Sequence, residues 1–191
     1  MLSTPSPHRE QILATATRLF FEQGYTITGV NQIIAESSVA RQTFYHHFPS
    51  KEALCAAYLD ARGADWIEAL RRAGNGRRSA RGVARGLFGY VEELAIETHF
   101  RGCGMLNMAS EFADAGSAVR ERVRVHKSAQ RALMRELFLP FGVDGPLTDQ
   151  IHVLVEGAIA GAASLLNVEP IHDALKAAEG LLKKAGRDER R

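Results

Sequence analysis

Apolar residues recur at helical spacing near the start of the chain: Ile12, Ala16, Leu19 and Phe20 fall at i, i+4, i+7 and i+8, one face of an amphipathic helix. Pro7 after Ser6 suits a first helical turn and Gly24 after Gln23 suits a left-handed C-terminal position, so this helix is predicted between about 7 and 23. Tyr25 and Thr26 turn the chain, Thr28 is placed to cap the next helix, and Val30, Ile33 and Ile34 give that helix an inward face. The Ser37-Ser38 pair then breaks the chain before a short segment from Ala40 to His47. In it Phe44 and Phe48, four apart, anchor one side and leave Arg41, Gln42, Thr43, Tyr45 and His46 on the others. Two short helices braced by a longer first one make a helix-turn-helix, whose second helix enters the major groove of DNA.

The polar residues of that second helix have the chemistry the role requires. Arg41 suits guanine and Gln42 suits adenine or a phosphate, while the hydroxyls of Thr43 and Tyr45 suit phosphate oxygens. Ser50 is a good N-cap, so Lys51 and the free amides of the following helix can grip one phosphate together. The expected DNA-binding set is therefore Thr28, Arg41, Gln42, Thr43, Tyr45, His46 and Lys51. The alternative is a helical adaptor that docks only protein, which would need an apolar outer face where residues 41 to 46 are polar.

Residues 9 to 54 resemble the DNA-binding domain of the TetR/AcrR repressors. The resemblance is carried by Arg9, Ile12-Leu13, Ala16, Leu19-Phe20, Gly24-Tyr25, Thr28, Val30, Ile33 to Ala35, the run Thr43-Phe44-Tyr45-His46-His47-Phe48, and Ser50-Lys51-Glu52-Ala53-Leu54. It implies a homodimer that reads a palindromic double-stranded DNA operator and a C-terminal helical domain that binds an inducer. Ala40 departs from the family's usual Ser or Thr cap, a loss worth about 1 kcal/mol of helix stability.

Beyond Lys51 the pattern is helical throughout, with Gly, Asn or Pro punctuation at 74 to 76, 102 to 104, 140 to 146 and 167 to 170. The predicted fold is all-α, about nine helices. A DNA-binding domain spans 1–50, with 1–8 a flexible arm, and an effector-binding and dimerisation bundle spans 51–191. The helix from 51 to about 73 connects them and carries Leu54, Tyr58 and Trp66 toward the C-terminal core. Arg77, Arg78, Arg81 and Arg85 form a basic loop and helix start, read as a solvated face in preference to a second nucleic-acid patch.

Residues 101 to 112 also resemble the Gly-Cys, Asn and Glu pattern that begins the sixth helix in many members of the family. Asn107 and Glu111 share a face beside Met105, Met108 and Phe112, which suits a soft-walled pocket with a polar end; core packing is the alternative. With Trp66 and His126, these residues form the expected site for a small, apolar effector. The last two helices, near Leu147 to Leu166 and Pro170 to Lys184, carry Gly157, Ala158, Gly161 and Ala162 and an apolar stripe of Ile171, Leu175, Ala178 and Leu182. Close packing follows, and the family resemblance implies that this pair forms the homodimer interface.

Composition changes this picture little. A chain of 191 residues, 46% hydrophobic, is long enough for both domains, and its net charge of +2 does not announce DNA binding. The apolar run from Ile151 is broken by Glu156, Gly157 and Gly161, and no signal-peptide core precedes Pro5, so no membrane partner and a cytoplasmic address are expected. Cys55 and Cys103 are too few for a disulfide framework and read as small hydrophobes, with a thiol switch at Cys103 the alternative. Asp149-x-x-His152 and Glu169-x-x-His172 echo the carboxylate–histidine pairs of di-iron bundles. Both start consecutive antiparallel helices, which separates them by about 25 to 30 Å, so no enzyme, metal or cofactor is expected.

Overall fold

The computed structural model describes residues 6–188. Its elements run α1 (Pro7–Gln23), α2 (Val30–Glu36), α3 (Arg41–His47), α4 (Lys51–Gly74), α5 (Ala80–Glu97), α6 (Gly104–Ser110), α7 (Ala118–Phe138), a 3-10 turn (Leu139–Phe141), α8 (Gly145–Leu165) and α9 (Glu169–Asp188). Among the described residues there is no strand, and no helix is long and apolar enough to cross a membrane. The fold is all-α, as the periodicity requires.

Two compact units emerge: Met1–Ala64 with Gly104–Val125, and Asp65–Cys103 with His126–Arg191. They do not follow the functional domains expected from the sequence, because the boundary falls inside α4 and because α6 and the first turns of α7 join the N-terminal helices.

In the first unit α1 buries Ile12, Ala16, Leu19 and Phe20, the four positions its periodicity marks. α2 contributes Ile33, and α3 contributes Phe44, with Phe48 directly after it; the two rings lie 6.4 Å apart and both are buried. Leu54 and Tyr58 are buried here rather than in a C-terminal core, and the Tyr58 ring meets Phe20 edge-on at 5.6 Å. α4 belongs to this unit as far as Ala64, so its N-terminal apolar residues are buried there. Of the expected arm, residues 1–5 lie outside the described residues, whereas Pro7 and His8 already belong to α1.

In the second unit α8 and α9 pack along each other and α5 lies against both. The core joins Val83, Leu87 and Phe88 of α5 to Met134 and Phe138 of α7, Ile151 and Val155 of α8, and Ile171 and Ala178 of α9. Small residues set the spacing: a methyl group at Gly161 would lie 2.8 Å from Pro170 Cβ, and one at Gly86 would meet the carbonyl of Ala73. α9 continues through Gly180 to Asp188, and the last residues of the expected fraying segment, 189–191, lie outside the described residues.

Candidate nucleic-acid interface and its supports

α3 has no side-chain cap at Ala40, and its hold on the unit comes from Phe44, which is fully buried. Anchoring one side fixes the other: Arg41, Gln42, Tyr45 and His46 are exposed, and Thr43 is half-buried. Tyr45 is 43% exposed and its ring stands edge-on to the buried Phe44 at 5.2 Å, a contact that orients it. A polar and exposed helix face of this kind can meet a DNA groove.

Several cations of this unit have partners, and of them Arg18 and Arg41 are exposed. Arg9 lies over the Phe48 ring at 5.1 Å and Arg62 over Phe21 at 5.7 Å. Arg18 pairs with Glu22 and Glu36. Lys51 follows Ser50, whose hydroxyl accepts from the amide of Ala53 at 3.0 Å and so caps α4. Its ammonium sits 4.1 Å from the centre of the Tyr25 ring, and burial draws its pKa below the ordinary lysine value. Arg41 donates through Nη2 to Oδ1 of Asn31 on α2 at 2.5 Å. Asn31 was not legible as a functional residue: its outward position follows from the inward Val30 and Ile33, but its pairing with a residue ten positions later does not.

Thr28 departs from its expected role. α2 begins at Val30 behind Gly29, so Thr28 is not its cap; the side chain is fully buried and donates to the carbonyl of Gly24 at 2.7 Å. It closes the turn between α1 and α2 from within and presents nothing to DNA.

Glu111 and Phe112 support the same turn. α6 stops at Ser110, and Arg120 takes the carbonyls of Ala109 at 2.9 Å and Phe112 at 3.4 Å, so Glu111 is peeled away from the helix face it was expected to share with Asn107. Its carboxylate accepts from the amides of Tyr25 at 2.8 Å and Thr26 at 2.6 Å. Partial burial acts to raise the Glu111 pKa, but these amides prevail and hold it below the ordinary carboxylate range. Phe112 stacks on Tyr25 at 4.7 Å between ring centres. Gly24, at φ +86°, lies so close that a methyl group there would sit 2.6 Å from the carboxylate. These two residues are thus committed to the helix-turn-helix, because the turn offers two backbone donors that lack helical partners.

The remaining expected effector residues divide between the units. Met105 and Met108 are buried in the first, on the same short helix as Asn107. Trp66 and His126 belong to the second. Trp66 packs against Tyr90 at 5.5 Å, and its indole N–H is buried with no acceptor among the described residues. His126 is 8% exposed; burial, reinforced by neighbouring Lys127, lowers its pKa to about 4. Lys127 itself joins both oxygens of Glu156, at 2.7 and 2.8 Å, and lies 3.6 Å from the thiol of Cys103. Cys55 is buried, which pushes its thiol up to about 12.

The carboxylate–histidine pairs are occupied otherwise. Asp149 receives Arg131 and Arg135, which hold its carboxyl far below the usual range, and His172 contacts Glu92 at 2.9 Å. Among the described residues no group of three His, Cys, Asp or Glu side chains can hold a metal ion. In the basic segment Arg77 caps the end of α4 through the Ala73 carbonyl at 3.0 Å and Arg85 pairs with Glu179.

Known proteins share this arrangement. Residues 12–58 match the model of bacterial regulatory proteins of the tetR family. The HTH-type transcriptional regulator LmrA of Bacillus subtilis is 37% identical over 97 residues, 47% of this chain and 46% of LmrA. Matches of this kind span less than half the length of the curated relatives. The crystal structure of SCO4454, a TetR-family transcriptional regulator from Streptomyces coelicolor, superposes with a TM-score of 0.84 at 31% identity, covering 95% of this chain and 91% of that one. The reduced form of Escherichia coli NemR shares the fold, with a TM-score of 0.77 at 23% identity over 92% of this chain and 97% of its own. A helix-turn-helix built on these residues, together with likeness over nearly the whole of a characterised fold, means that the chain belongs to the TetR family of regulators.

Proposed function

We propose that the protein is a cytoplasmic DNA-binding transcriptional repressor, without catalytic activity, which binds a palindromic operator as a homodimer and is released by a small-molecule effector. The observation that carries this reading is the exposed polar face of α3, with Arg41, Gln42, Tyr45 and His46 outward and Phe44 locked in the core. The dimer would form across α8 and α9. There a groove of about 650 Å³ is walled by Val153, Leu154, Ala177 and Leu181, and Val153 is 67% exposed. Two-fold symmetry must then set the paired recognition helices about 34 to 36 Å apart, one turn of DNA.

Trp66 and His126, both of the second unit, are the polar groups we assign to effector recognition. A buried indole N–H without an acceptor favours an effector that is largely apolar but presents one hydrogen-bond acceptor. If the effector prefers the DNA-free conformation about 100-fold, the coupling is about 2.7 kcal/mol, ample for release.

The test is selection of bound fragments from the source genome by wild-type protein beside Tyr45→Ala. A shared palindrome recovered by wild type and lost by the variant is expected. No enriched site from folded protein would overturn the reading and favour the protein-docking adaptor.

A further inference from the structure

Asn31 stands on the first turn of α2 and Arg41 opens α3; both are exposed and they are joined by the 2.5 Å bond from Nη2 to Oδ1. We propose that the two side chains form one base-reading device, in which Asn31 fixes the plane of the Arg41 guanidinium so that its free N–H donors meet O6 and N7 of a guanine in each half-site. The inference rests on the DNA-binding reading above and adds a residue of α2 to the determinants of specificity.

Guanidinium carries five N–H donors in a rigid planar fork, and a bidentate guanine contact uses two of them. One donor spent on Asn31 leaves that contact intact while restricting the rotation that an arginine on an open surface otherwise retains. The choice of partner matters. Arg18, on the same unit, is tied to the carboxylates of Glu22 and Glu36, which offset its charge. Asn31 is a neutral acceptor: it orients Arg41 and leaves the full positive charge for DNA. A bond needed merely to brace α2 on α3 would be redundant, because Ile33, Val39 and Phe44 are already buried in this segment.

Selection from a pool of random-sequence duplexes, followed by affinity measurement on every single-base variant of the selected site, tests this. Wild type, Arg41→Ala, Asn31→Ala and Asn31→Asp are compared, with circular dichroism to verify folding. Arg41→Ala should lose about tenfold or more of the preference for guanine at one position per half-site, and Asn31→Ala about fivefold at that same position. Preferences elsewhere should be unchanged. Asn31→Asp keeps the acceptor and should restore the guanine preference, while lowering affinity for all sequences through its negative charge.

Asn31→Ala with wild-type preference, or with a change at a position other than Arg41's, overturns the positioning role. So does an Arg41→Ala variant that discriminates as wild type does. Wild-type protein that selects no sequence at all overturns the DNA-binding reading itself, an outcome distinct from these.

Discussion

His126 shows how one buried side chain contributes to the pH response of the fold. In the unfolded chain its pKa is near the ordinary value of about 6.5, whereas in the folded protein it is about 4, so the unfolded state binds more protons between these limits. Stability is therefore undiminished above about 6.5 and falls as pH drops toward 4, with a total loss from this group of order 3 kcal/mol. Urea unfolding at pH about 7 and about 5 should show the loss in wild type and a smaller one in His126→Gln. Equal losses in both proteins would assign the effect to other groups. The sequence offered His126 as part of the expected effector site, and nothing in its local pattern revealed the depth of burial. The same gap explains Thr28. Its hydroxyl was legible as a cap, but which carbonyl lies nearest depends on how the turn closes. Glu111 was harder still, because its two donors are 86 and 85 positions away in the chain and no local pattern couples them.

Helices, in contrast, were largely written in the periodicity. α1, α4 and α8 begin and end within about two residues of their expected bounds, and α9 starts within one residue but runs on past Lys184, because apolar spacing and Gly or Pro punctuation act locally. The recognition helix is the instructive case, since it lacks the side-chain cap that α5 and α8 have: Asp144 accepts from the Leu147 amide at α8 and Ser79 from Gly82 at α5, but Ala40 offers no oxygen. Ala40 is exposed and already has the extended backbone of a capping residue, with φ −68° and ψ 146°. Ala40→Ser should stabilise the protein by about 1 kcal/mol, a rise in Tm of about 2–4 °C by calorimetry. An unchanged or lowered Tm would mean that the serine oxygen does not reach the free amides of α3. α6 was the element the sequence rendered least well. Its end is imposed by Arg120 from a different helix, so Glu111 left the face that regular helical spacing assigned to it.

Across the whole molecule, the second unit presents apolar surface that its own core does not use. Val153 and Leu154 on α8 face the same groove as Ala177 and Leu181 on α9, while Asp149 and Lys184 mark its polar rim. Val153→Glu should leave helix content unchanged and convert the dimer to monomer in light scattering, with operator affinity falling at least tenfold because one protomer grips only half a palindrome. A variant that stays dimeric would move the interface elsewhere. The sequence foretold this pair of helices but not the division of the chain, which depends on long-range packing: residues 104 to 125 belong with the DNA-reading helices although more than fifty residues separate them along the chain from Ser50. That grouping governs how such regulators can be recombined. A hybrid joined after Ser50 would inherit Tyr25 and Thr26 without the carboxylate that receives their amides, and its reading head would be assembled on a foreign support. A transplant carrying Met1–Ala64 with Gly104–Val125 takes the support along, so the portable cassette is discontinuous, two stretches of sequence inherited as one part.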